Sequence, residues 1–478
     1  MKQASNHLIT VISIAMGLLL VLSAVPWSRL TGNVLKDFNL FGDLHPVDMT
    51  QLAASTEQAI VDPELHALMN GEPTPTAAAE IADSTGSATA PDSVTAQPDS
   101  VPAHVAVEPF TPDMADGSPV IENYGEGLPL ARFRDALAQA GSRTVRVAVI
   151  GDSYIEGDII CQNLRDHLQQ RYGGKGVGFM AAHSDFPGFR GSVSQSDKGW
   201  TMTDIRQMGR RDSLRTLSGD YGKASSGASV TYKGTGKFAG TASWERSTVL
   251  YIAPDSGTLT LNAADGTARS FPVVPSGAVQ AAVVQGSTSK LTVQTDVPGL
   301  VMLGTYLDGG HGVQVDCMSV RGNSGLNTRR LNAALCRQMA QWADYDLIIV
   351  EFGMNVLSAE QTDYTPYMLA MTDGIRHLQR CYPKADILVM GVGDRGVKAG
   401  AAIQSLPTTD AMVRAQRETA RRTGTHFWDT RHAMGGAGSI AQWRTDKLVN
   451  ADYIHLNHKG GARIAALLNT SLTHALEQ

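Results

Sequence analysis

The 478-residue chain has only four cysteines, Cys161, Cys317, Cys336 and Cys381, and none falls in a C-x-x-C or Cys/His spacing. That excludes both a zinc site legible in the sequence and a disulfide-dense scaffold. In an exported chain they would allow one or two bridges of unreadable pairing, and buried free thiols are the preferred reading. Aromatic residues make up only 6% of the chain, and no block of basic charge occurs: 40 Lys and Arg against 46 Asp and Glu leave a formal net charge of −6. Nucleic acid is thereby set aside as a partner. Long apolar runs are missing too, except at the N-terminus.

That exception is Leu8–Val25 (LITVISIAMGLLLVLSAV), 18 uncharged residues behind Lys2. The length lies between a signal-peptide core and a minimal membrane span. Pro26 and Trp27 are poor residues for a peptidase site, so residues 1–30 read as an uncleaved signal anchor in preference to a cleaved signal. The rest of the chain is then expected outside the cytoplasm, periplasmic or otherwise extracytoplasmic, tethered to the inner membrane. Residues 31–118 follow with weak helical potential and then a Pro/Ala/Ser/Thr/Asp tract in which Pro91-Asp92-Ser93-Val94 recurs as Pro98-Asp99-Ser100-Val101. Such a composition buries too little apolar surface to offset chain entropy and predicts a flexible tether.

The folded body divides into 119–195, 196–315 and 316–478. Val145–Ile150 (VRVAVI), Leu347–Phe352 (LIIVEF) and Ile387–Val392 (ILVMGV) are short buried-strand runs, and His426–Trp428 is a shorter one. Helical patterns lie at about Leu128–Ala140, Gly157–Tyr172, Pro366–Cys381, Thr409–Thr423 and Lys459–Leu476. Alternating strands and helices predict an α/β domain, a parallel sheet with helices on both faces. The middle region changes to short alternating runs (ASVTYKG, STVLYIAP, GTLTLNA, KLTVQTD) broken by Gly, Ser, Asn and Asp turns, which predicts an inserted β-sandwich.

In open parallel sheets, sites collect at the carboxyl ends of the strands. Four polar segments satisfy that placement. Gly151-Asp152-Ser153 ends the first strand, and Gly322-Asn323 lies in a polar turn after the insert. Gly353-Met354-Asn355 ends LIIVEF, and Asp452-Tyr453-Ile454-His455 precedes the last helix. Their chemistry is complementary. Ser153 is a nucleophile that needs a base, for which His455 is the candidate, and Asp452 can fix the tautomer of that histidine. The Ser153 and Gly322 backbone N–H groups and the Asn355 amide are candidate donors to an oxyanion. Asp394 and Arg395, at the end of ILVMGV, are candidate substrate contacts. Glu156 and Asp158 are read as helix-starting residues, and His432 and His458 as polar or capping residues. The reaction these groups suit is acyl transfer, and it calls for no metal or cofactor.

These segments, in this order, resemble the SGNH (GDSL-type) hydrolases. Block one is Ile150-Gly151-Asp152-Ser153, block two Gly322, block three Gly353-x-Asn355 and block five Asp452-x-x-His455. The resemblance covers about Val145–Gln478, broken by the insert. It implies a flavodoxin-like three-layer fold, with Ser153 as nucleophile, His455 as base, Asp452 as orienting acid, and Gly322 and Asn355 as oxyanion donors. Val356 and Leu357 follow Asn355 where many members carry an acidic residue, which loosens the subfamily assignment. An insert between blocks one and two is similar to that of bacterial exported peptidoglycan O-acetylesterases. It implies a carbohydrate-binding-like module and an acetylated envelope glycan as substrate. Trp200, Trp244, Tyr232 and Tyr251 could stack on sugars, but sandwich core is the preferred reading. The competing functions are an O-acetyltransferase, a lipase or thioesterase on the same residues, and a catalytically silent glycan-binding protein of the envelope.

Overall fold

Five apolar runs, each buried on both faces, pair in parallel: β1 (Thr144–Gly151), β2 (Gly312–Ser319), β3 (Leu347–Glu351), β4 (Asp386–Met390) and β5 (His426–Trp428). Their spatial order is β2-β1-β3-β4-β5, and the two-residue strand Glu122–Asn123 adds antiparallel to β5. This is the flavodoxin-like order, whose switch point lies between β1 and β3. The computed structural model describes residues 63–70, 114, 117–209, 212–400 and 402–478. The Leu8–Val25 anchor lies outside them, and among the described residues no helix is long and apolar enough to cross a membrane.

Helices cover both faces of the sheet. α1 (Cys161–Tyr172) and α4 (His458–Glu477) pack together on one side, while α2 (Thr365–Cys381) and α3 (Thr409–Thr423) pack together on the other. In α2, Pro366 sits in the first turn, and Tyr367, Met371, Ile375 and Leu378 recur at helical spacing to form the buried stripe. The four cysteines are buried free thiols.

The inserted module differs from expectation in extent and in form. It runs from the strand Gly178–Met180 to the strand Val301–Asp308, all antiparallel. The boundary read at 315 therefore falls inside β2, and the segment 178–195 belongs to the insert. A Gly-rich lead-in hid the first short strand, and β2 is as β-branched as the insert strands beside it. The nine strands form one continuous hydrogen-bonded sheet in place of two separate ones. It folds over a single core that draws residues from every strand, including Trp200, Tyr232, Trp244 and Tyr251. Those aromatics are core, as preferred.

One segment of the stretch read as a tether lies among the described residues. Pro63–Met69 is helical, Ala67 is buried, and Glu64 is ion-paired with both Arg329 and Arg330 of the hydrolase body. Its PELHALM sequence supplies the apolar residues that the Pro/Ser/Thr tract lacks.

Arg146 interrupts the apolar run of β1. Its guanidinium, 2% exposed, meets Asp316 of β2 at 3.0 Å and also Asp308, the last residue of the insert. Arg246 approaches Asp308 at 3.0 Å, and the Tyr345 hydroxyl donates to Asp316. Buried charges in such a network are strongly destabilising when one partner goes, because the others stay desolvated and unpaired. Arg146→Ala is expected to lower the unfolding free energy by roughly 3–5 kcal/mol. Chemical denaturation measures it, and a loss below about 1 kcal/mol, the level of an exposed pair, would show the network to be dispensable.

Candidate active site

β1 and β3 lie so close at their carboxyl ends that a Cβ on Gly151 would fall 2.6 Å from the Glu351 carbonyl oxygen. Only glycine fits, and the chain then turns sharply so that Ser153 follows the strand directly. Asp152 is fully buried in this turn. One of its oxygens accepts the Tyr154 N–H at 2.8 Å, and the other accepts the Asn355 amide at 2.7 Å. Asn355 also donates to the Asn323 carbonyl at 3.3 Å. The three loops after β1, β2 and β3 are thus tied together through two side chains.

The Asp452–His455 segment reaches the same place from the other end of the chain. Ser153 Oγ lies 2.9 Å from His455 Nε2, and His455 Nδ1 lies 2.7 Å from Asp452 Oδ2. The second Asp452 oxygen accepts the Ile454 and His455 backbone N–H groups at 3.0 and 3.1 Å. Tyr453 adopts a left-handed φ of 59°, which allows so tight a turn. Burial pushes the Asp452 carboxyl up, but its hydrogen bond to His455, that residue's charge and the two backbone donors together hold it below its ordinary range. An ionised Asp452 keeps the proton on His455 Nδ1, which leaves Nε2 to accept from Ser153.

Gly322 takes a φ of 77°, in the region that favours glycine. Neither its backbone N–H nor that of Ser153 has an acceptor among the described residues, so both are available to a ligand oxygen. All five residues expected at the reacting centre therefore lie on the loops gathered at the carboxyl ends of the central strands.

Of the two substrate contacts expected at the end of β4, Asp394 is corrected. Asp394 is wholly buried, and its oxygens accept from Arg431, Ser405 and the Ile440 N–H. It braces the loop and does not face the cleft. Arg395 donates to the Met354 and Leu357 carbonyls, so it supports the loop that carries Asn355. A strand-end position was right for both residues, but only packing reveals which way a side chain turns. Glu156 and Asp158 likewise do more than start a helix. Glu156 pairs with Arg321, and Asp158 is buried against Arg165, Arg190 and Ser192. α1 itself begins only at Cys161. His458 meets Gln162 at 3.1 Å.

Asp158, Cys161 and Cys317 are the one group of potential metal ligands among the described residues, within 4.8 Å of one another. Asp158 is already committed to two arginines and a serine, so this donor set does not suit a cation.

Glu351 went unremarked in the sequence because it ends an otherwise apolar strand. It is fully buried beneath the Gly151–Asp152 turn, and neither oxygen has a well-formed hydrogen-bond partner. Burial pushes its carboxyl well above the ordinary value of 4.5, the Asp152 charge pushes the same way, and only the Asp152 backbone N–H opposes. Burial likewise pushes Asp152 up to about 6, against the Tyr154 N–H, the His455 charge and the Asn355 amide.

The unfolded chain ionises Glu351 near the ordinary value while the native state keeps the proton, so Glu351 weakens the fold as pH rises above 4.5. Glu351→Gln cannot ionise. Its stability relative to the unaltered protein is expected to improve by up to about 1.4 kcal/mol per pH unit over that rise. Denaturant titrations from pH 4 to 7 measure it, and a pH-independent difference would overturn the neutral carboxyl.

The GDSL-like lipase/acylhydrolase family matches residues 285–463. That stretch holds blocks two, three and five, while Ser153 lies on the far side of the insert. No protein of curated function matches the sequence. Among solved structures, a peptidoglycan O-acetylesterase captured in action is 25% identical, with a TM-score of 0.62, over 75% of this chain and 99% of its own. A family two carbohydrate esterase from Cellvibrio japonicus is 12% identical, with a TM-score of 0.26, over 60% of this chain and 98% of its own. A second esterase of that family, from Clostridium thermocellum, is 14% identical, with a TM-score of 0.27, over 58% and 99%. Those two TM-scores are too low to bear on chemistry. The family match over 285–463, the likeness to the O-acetylesterase structure and the fold together support an esterase of the SGNH (GDSL-like) hydrolase type.

Proposed function

We propose that the protein is an exported serine esterase that removes O-acetyl groups from a cell-envelope glycan, peptidoglycan above all, through an acyl-enzyme on Ser153. The observation that carries this reading is the continuous Ser153–His455–Asp452 hydrogen-bond chain, at 2.9 and 2.7 Å, beside two unpartnered backbone donors. The likeness to a peptidoglycan O-acetylesterase, which extends over 75% of the chain, supports the substrate. Ser153 Oγ attacks the acetyl carbonyl carbon as its proton passes to His455 Nε2. The resulting oxyanion is held by the Ser153 and Gly322 N–H groups. Both Asn355 amide hydrogens are engaged in the resting enzyme, so Asn355 would turn one of them from Asn323 or Asp152 toward the oxyanion. Collapse expels the sugar oxygen, which takes the proton from His455. Water deprotonated by His455 then attacks the acyl-enzyme, releasing acetate and restoring Ser153. Export and tethering through Leu8–Val25 belong to this proposal and rest on that segment's length and apolarity.

Acetate release from purified O-acetylated peptidoglycan, compared with other acetylated glycans, tests the substrate. Transfer of acetyl to an acceptor sugar in place of acetate release would make the enzyme a transferase. Ser153→Ala is expected to abolish hydrolysis of peptidoglycan acetyl and of an aryl acetate with the fold unchanged, and ordinary turnover would sink the mechanism. Asn355→Ala is expected to lower kcat roughly 10²-fold or more with KM little altered.

A further inference from the structure

The insert does more than sit beside the hydrolase sheet. Its 183–190 loop is fastened to the catalytic turn at three points. Arg190 reaches Asp158, five residues after Ser153, at 3.1 Å, and also donates to the Val177 and Phe179 carbonyls. Phe189 lies directly over Gly157, where a Cβ would fall 1.7 Å from its ring. Arg321, the residue before Gly322, pairs with Glu156 on one side and meets the Phe186 ring on the other, with its guanidinium carbon 5.5 Å from the ring centroid.

Phe186 is 37% exposed, the one aromatic side chain among the large hydrophobics that the described residues leave in solvent. Trp200, Tyr232, Trp244 and Tyr251 are buried in the insert core and offer no sugar platform. The ring lies in the loop fastened to the catalytic turn and packs against Arg321, the residue before Gly322. Charged groups flank it, with the Glu156–Arg321 pair on one side. In the same loop, His183 is held between Asp197 at 2.9 Å and Asp185 at 3.2 Å. An exposed aromatic ring in a loop that also carries fixed charged and hydrogen-bonding groups suits a pyranose ring, whose C–H face is apolar and whose rim carries hydroxyls.

We propose that Phe186 is a saccharide-stacking subsite contributed by the insert, on which a sugar ring of the acetylated glycan rests while its ester reaches Ser153. The Arg321–Phe186 contact places the subsite near the Gly322 loop. This proposal rests on the glycan-esterase reading and adds the place where the glycan is held.

The experiment compares Phe186→Ala and Phe186→Trp with the unaltered enzyme on two substrates, O-acetylated peptidoglycan fragments and a small aryl acetate. Phe186→Ala is expected to raise KM for the fragments roughly three- to tenfold, with kcat/KM for the aryl acetate unchanged and Phe186→Trp near the starting value. An unchanged KM for the fragments would overturn the subsite. So would an equal loss on both substrates, which marks damage to the catalytic turn, or a KM that follows acyl-chain length on aryl esters in place of the glycan. Failure of the unaltered enzyme to release acetate from the fragments, with the aryl acetate still cleaved, would instead overturn the substrate reading on which the proposal stands.

Discussion

The contact between Gly151 and Glu351 at the ends of the two central strands is the constraint from which the site follows. With no side chain on Gly151, the backbones of β1 and β3 approach closely enough for the Asp152 carboxylate to reach Asn355. At this switch point the two chains leave the sheet in opposite directions, so a crevice opens between their loops. Ser153 stands at one edge and Asn355 at the other. Glu351 fills the space below, its carboxyl pushed well above the ordinary range first by burial and then by the Asp152 charge.

Around that contact the protein uses buried charge to hold separate parts in register. The Arg146–Asp308–Asp316 network fixes the last insert strand to the catalytic sheet, and the Asp158–Arg165–Arg190 network fixes the first part of the insert to the turn after Ser153. Such clusters add little net stability compared with apolar packing, but they punish any misalignment because each charge has only one set of partners. An insert of nine strands joined to the body only through short glycine-containing segments would otherwise have little to hold it in register with the site. Rigid attachment is what allows a loop of the insert to serve as part of a substrate cleft.

Much of this was legible in the sequence. The runs VRVAVI and LIIVEF are apolar and bounded by glycine, and α3 at Thr409–Thr423 and β5 at His426–Trp428 lie where the pattern placed them. Ser153, Gly322, Asn355, Asp452 and His455 could be picked out because each sits at a strand end or before a helix, in an order that makes chemical sense. Orientation was not legible. Asp394 stands at a strand end like the others yet turns into the core toward Arg431. The helix Pro63–Met69 falls at the end of the stretch of weak helical potential, ahead of the Pro/Ser/Thr tract, where seven residues carry too little periodicity to mark an element. The insert boundary slipped because β-branched strands of a buried parallel sheet and of an antiparallel module share a composition.

The sequence by itself determined the chemistry available: which residue types stand at the carboxyl ends of buried strands is a local property of pattern and turn, and it survives the interruption by the insert. Only the tertiary structure decided which of those groups meet. Ser153 and His455 are 302 positions apart, and their 2.9 Å contact is set by strand order. The partners of Arg146, the burial of Glu351 and the exposure of Phe186 are equally non-local. Each depends on what another part of the chain places within a few ångströms, and no window of sequence contains that.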